Sequence, residues 1–208
     1  DGRVLDFYAD KYFRKDKIIQ IILLNHATAD ETVARCAKKS NEDLSEIIAT
    51  NEQRLLRHPV IIENLYNNKF ARMSTVNRAI ELAVRNNIVL DGIAAFKEAA
   101  AAIQGELIVE EPGGTPMDEV FSDTLEIGEV LEAEEGPDAV EKELEEESQA
   151  SEQRMSIQAE LGQMTTSEKV RMALLGSASH RSILVRDTNR LVSMAAIKSP
   201  QVRDTEAM

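Results

Sequence analysis

The run T-T-S-E-K-V-R-M-A-L-L-G-S-A-S-H-R-S-I-L-V-R-D-T-N-R-L-V-S-M-A-A-I-K-S-P-Q-V-R-D, residues 165–204, decides the fold. It reads as three short amphipathic helices broken at Gly176, near Asp187 and at Pro200. Helices this short are marginal alone, so each must pack on a neighbour. Val170, Ala173 and Leu174 stand at i, i+3 and i+4, one face of a helix. Val192, Ala195 and Ala196 repeat that spacing 22 positions later. The same pattern occurs upstream at Val33, Cys36 and Ala37, and 43 residues further on at Val76, Ala79 and Ile80. A two-helix unit of that length falls within the roughly 40–47 residues of HEAT and armadillo repeats. The expected fold class is therefore all-α, a HEAT/armadillo-like helical repeat array.

Working outward, the charge is uneven. The 208-residue chain carries −13 in all. Residues 105–150 hold seventeen acids against the single Lys142, a net of −16, which leaves +3 elsewhere. That stretch also holds three of the five prolines and five of the nine glycines. High charge with little apolar content cannot offset the entropy of ordering. It is expected to be an acidic disordered linker, although Val120, Phe121, Leu125, Ile127, Val130 and Leu131 could fold on a partner surface. The expected organisation is a helical repeat block over 1–104, a flexible linker over 105–150 and a second block over 151–208. Asp1 in place of Met suggests a fragment or a missing start, and Arg203 to Glu206, opening a further helix, suggest an array cut short at its C-terminus.

Aromatics are few and Trp is absent, so the core must be aliphatic and rich in alanine, as in a thin stack of helices. Within the first block, Val4, Phe7, Tyr8 and Tyr12 form a helical stripe, and Ile18 to Leu24 reads as a buried helix, far short of the ~20 residues that cross a bilayer. Thr28 to Glu31 and Thr165 to Glu168 match the capping box, a hydroxyl and a carboxylate that satisfy each other's helix-end amides. Asn67-Asn68-Lys69 signals a turn, and Asn86-Asn87 closes a long helix.

The chemical inventory is thin. His26, His58 and His180 lack the i, i+4 spacing of a helical zinc site, and no CxxC is present. Cys36 is a lone thiol in a small-residue slot, without an implied base, and points to a reducing compartment. Gly113-Gly114 lacks the Lys-Ser/Thr of a phosphate loop. No catalytic, metal or cofactor site is expected. The feature with most chemistry is basic: Arg171, Arg181, Arg186, Arg190 and Lys198 in the last block, with Arg54, Arg57 and Arg72 in the first. Gathered on one edge, such cations would meet an acidic partner or phosphates.

Three segments, N-E-Q-R-L-L-R-H-P-V-I-I-E-N-L-Y-N-N (51–68), R-M-S-T-V-N-R-A-I-E-L-A-V-R-N (72–86) and the stretch 169–200, together resemble HEAT-like α-solenoid proteins of the deltaproteobacterial kind. The resemblance implies repeat architecture and a scaffolding role, and it transfers no catalytic residue. The expected function is a non-enzymatic, cytoplasmic scaffold or adaptor that binds another protein through helical-repeat surfaces, with self-association allowed and no membrane. The alternative is a phosphate-ligand or nucleic-acid-binding module that uses the Arg181–Arg190 face, masked by the acidic linker.

Overall fold

The computed structural model describes residues 2–104, 116–134 and 146–202, and among these it holds helices and no strand. The chain divides into two compact units after Phe96, with α1–α7 in the first and α8–α13 in the second. Helix α8 groups with the C-terminal helices in this division.

The first unit is built from α1 (Gly2–Lys11), α2 (Asp16–Leu24), α3 (Asp30–Ala37), α4 (Glu42–Ala49), α5 (Glu52–Arg57), α6 (Val60–Tyr66) and α7 (Met73–Arg85). None exceeds 13 residues, so tertiary packing supplies their stability. Asn41 and Asn51 cap α4 and α5 by accepting from Leu44 N and Arg54 N. Helix α7 ends in a Schellman turn. Asn87 takes a left-handed φ of 55°, its amide donates to Val84 O, and Ile88 N donates to Ala83 O. That is the role of Asn86-Asn87 as a stop signal. The Thr28 box does not form: Ala29 precedes α3, and the Thr28 hydroxyl donates back to Ile22 O.

Two series of helix contacts run through this unit, α1 with α3 with α6, and α2 with α4 with α7. The core is aliphatic, with Ile19, Val33, Ala37, Ile61, Ile62, Leu65, Val76 and Ile80 each at most 2% exposed. Val33 and Val76 are both buried, but α3 packs on α6 and α7 packs on α4. The 43-residue offset therefore joins helices of different series. Polar ties between the segments follow a shorter offset, from 25 residues (Asn41 to Asp16) to 32 (Arg78 to Glu46).

The second unit contains α8 (Phe96–Gln104), α9 (Pro116–Glu134), α10 (Glu146–Gln163), α11 (Thr166–Leu175), α12 (Ala178–Leu184) and α13 (Arg190–Lys198). The three last helices break near Gly176, Asp187 and Pro200, as the opening run predicts. Both bonds of the Thr165–Glu168 capping box are present. Helix α9 lies inside the stretch expected to be a linker; residues 105–115 and 135–145 of that stretch lie outside the described residues. Its apolar positions explain the difference. Phe121 and Leu125 are buried, Thr124 donates to Glu160 at 2.8 Å, and α9 packs on α10, α11 and α12. The surface on which Phe121 and Leu125 fold belongs to the chain itself.

Gly176 sits where a side chain has no room: a Cβ there would come within 2.6 Å of Met172 O and 3.0 Å of His180 Cβ. Gly162, near the end of α10, meets nothing within 4 Å. Gly176→Ala is therefore expected to lower stability by about 1–3 kcal/mol. Gly162→Ala should raise it by about 0.5–1 kcal/mol, because alanine loses less backbone entropy in a helix. Urea denaturation of the two variants checks both signs.

Candidate functional site

The cations singled out in the sequence do not form one surface. Arg171 is wholly buried in α11, its guanidinium carbon 5.1 Å from the Phe121 ring centre. Arg181 is buried in α12 and donates to Gly176 O at 2.7 Å and to Gln201 at 3.4 Å. Lys198 pairs with Glu98 at 2.7 Å. Arg186 and Arg190 are exposed. His180 is buried and is a capping residue: its Nδ1 accepts from Ser177 N at 3.1 Å. As an acceptor, that nitrogen carries no proton.

In the first unit, Arg54 and Arg57 converge on Asp30. Arg57 holds it bidentately, at 2.6 and 2.8 Å, while Arg54, almost fully buried, stands 3.4 Å away. Arg72 pairs with Glu42 at 3.1 Å. Three of the eight expected surface cations, Arg54, Arg171 and Arg181, are thus interior, and Arg57, Arg72 and Lys198 are tied to carboxylates. The cause is physical: a guanidinium buries a long stem and reaches out to helix-end carbonyls and carboxylates that a short helix leaves unpaired.

The surface that does stand out lies on α1 and α2, where Ile21 and Leu24 of the run expected to be a buried helix are exposed. Val4, Phe7 and Tyr8 are 52, 60 and 44% exposed, and Ile21 and Leu24 are 68 and 63% exposed. Phe7 meets Tyr8 edge-on, Tyr8 stacks on Tyr12 at 5.6 Å, and the Lys11 ammonium lies 5.6 Å from the ring centres of both Phe7 and Tyr12. The opposite sides of these helices, at Ala9, Ile19, Ile22 and Leu23, are buried. A signal was available: D-K-I-I-Q-I-I-L-L is apolar nearly all round, the pattern of a helix covered on two sides.

The electrostatics at this edge are one-sided. Asp6 accepts from Thr32 and Arg35, Asp10 pairs with Arg35, and Asp16 accepts from Asn41. The Thr32 hydroxyl, with Arg35 second, holds the Asp6 carboxyl below the ordinary aspartate value of 3.8, and the Arg57 fork does the same for Asp30. Lys11, Arg14, Lys15 and Lys17 are exposed and make no ion pair among the described residues.

Cys36 is buried, and burial pushes its thiol up to about 11. It is protonated near neutrality and a poor nucleophile. Among the described residues, no three His, Cys, Asp or Glu side chains come together in a set able to hold a metal ion, and no helix is long and apolar enough to cross a membrane.

No protein-family model matches the chain, and no curated protein or solved structure matches it either.

The Asp30 cluster yields a test of the electrostatics. Asp30→Ala leaves Arg54 as an uncompensated buried charge and is expected to cost about 3 kcal/mol. Carboxyls depressed in the folded state stabilise it fully above the unfolded value and lose that contribution as pH falls below it. Wild-type stability by urea denaturation should therefore drop as pH falls through and below 3.8. Asp30→Ala should flatten that drop.

Proposed function

We propose that this chain is a non-enzymatic interaction module, a HEAT-like stack of short helices that docks another protein. The observation that carries this reading is the outer face of α1 and α2, with Phe7, Ile21 and Leu24 each at least 60% exposed. Contiguous exposed apolar surface rimmed by charge marks an interaction site. Two further features support the reading. The contact series α1–α3–α6 and α2–α4–α7 have the form of stacked two-helix layers, in which each layer needs a neighbour to bury its apolar side. The ties between segments recur at offsets of about thirty residues, as in Asn64 to Ala34 and Arg72 to Glu42. That is shorter than a typical HEAT unit.

The phosphate-binding alternative loses support from its own cations. Arg171 and Arg181 are interior, which leaves Arg186 and Arg190 as the exposed pair of that set.

Photo-crosslinking tests the proposal. A benzophenone side chain placed at Phe7 or Ile21, in cells of the source organism, should give a discrete adduct of higher mass. The same group at Gln53, exposed on α5, should not. Equal labelling from all three positions, or none from Phe7 and Ile21, would contradict it.

A further inference from the structure

The bonds between segments in the first unit have a direction. Thr32 and Arg35 donate to Asp6, Asn41 donates to Asp16, and Arg57 donates to Asp30. Asn64 donates to Ala34 O, Arg72 to Glu42, and Thr75 and Arg78 to Glu46. In each of these the donor belongs to the later segment and the acceptor to the earlier one. Asn67, donating forward to Gly92 O, runs the other way. The pattern follows from charge placement: the carboxylates that bond between segments look toward the next segment, and the cations bonded to them look back.

Helices α1 and α2 obey the same rule on the side that faces α3 and α4, where Asp6, Asp10 and Asp16 are all engaged. Residues 2–27 contain no other acid. What remains for the outer face is donors: Lys11, Arg14, Lys15 and Lys17, beside the exposed apolar stripes. Lys11 already lies against the rings of Phe7 and Tyr12, so the positive charge borders the apolar surface directly.

From this polarity we infer that the partner presents an amphipathic helix whose apolar face is flanked by carboxylates, seated on α1 and α2 as those helices are seated on α3 and α4. The inference rests on the docking role proposed above and adds the chemistry of the occupant, a separate acidic polypeptide helix. Helix-in-groove recognition supplies the apolar contacts, and the rim charges supply orientation and discrimination. An anionic membrane would meet the same cations. A helical occupant is favoured because the covered sides of α1 and α2 are covered by helices, through hydroxyl, amide and guanidinium bonds to carboxylates.

The test uses the full chain and two stapled helical peptides, each about five turns long, with one leucine face. One peptide carries glutamates along both flanks, and its twin carries lysines. Fluorescence anisotropy should show the glutamate peptide binding about tenfold or more tighter, as expected for several rim ion pairs. The exposed quadruple variant Lys11→Glu, Arg14→Glu, Lys15→Glu, Lys17→Glu, its fold verified by circular dichroism, should reverse the preference. Phe7→Ser with Ile21→Ser should abolish binding of both peptides.

Equal binding of the two peptides overturns the inference about charge. Binding of neither, with crosslinking from Ile21 intact, also overturns it and leaves the docking role standing. Co-flotation with vesicles of phosphatidylserine and phosphatidylcholine, lost in the quadruple variant and without peptide binding, would assign the face to a membrane. Sedimentation showing self-association abolished by Phe7→Ser with Ile21→Ser would assign it to a second copy. Either result overturns the acidic-helix partner.

Discussion

Helices of six to thirteen residues leave most of their end groups without internal partners, and the first unit is organised by where those groups find them. Helix α6 carries Asn64, and Asn68 follows four residues later. Asn64 donates to Ala34 O, and Asn68, itself buried, donates to Ala37 O and Ser40 O near the end of α3. Carbonyls at and just past the end of α3 are thus capped by side-chain amides on and just after α6, the helix packed on it. Buried carbonyls left without donors would each cost about 1–3 kcal/mol, comparable to a large share of a domain's net stability. Stacking at this offset is what makes such short helices tenable.

The same requirement gives the first unit two unlike sides. A segment that spends its carboxylates on its successor keeps its cations for whatever precedes it. Where the described chain provides no predecessor, at α1 and α2, apolar side chains and free cations stand together on the surface. The second unit uses charge differently. Arg171 and Arg181 are taken inside and matched by an aromatic ring, a helix-end carbonyl and other groups, since a buried cation is tolerable only when paired. Exposed apolar and cationic side chains thus collect on the first unit, while Arg171 and Arg181 of the second lie inside it.

Much of this is readable in the residues. The breaks at Gly176, Asp187 and Pro200, the Thr165 box and the Asn87 stop are local signals, and local geometry obeys them. The offset between packed segments is harder to see, because an apolar triple at i, i+3 and i+4 marks a buried face on any helix and does not tell which helices are equivalent; Val33 and Val76 share the pattern but not the series. Asn68 looked like a turn residue because a turn and a cap between helices use the same side chain. The run Ile18 to Leu24 reads as a buried helix for a similar reason. Composition reports that a face is apolar, and only the packing reports that nothing in the described chain covers it. Helix α9 hid among acids because its burial depends on few positions, chiefly Phe121, Thr124 and Leu125.

Side-chain amides cap the end of a preceding helix in the first unit, and comparing two adjacent asparagines tests this most directly. Asn68 is 3% exposed, while Asn67 is exposed and bonds Gly92 O at 3.2 Å. In urea denaturation, Asn68→Ala is predicted to cost about 3 kcal/mol and Asn67→Ala less than about 1 kcal/mol. Equal, small losses at both positions would contradict the account.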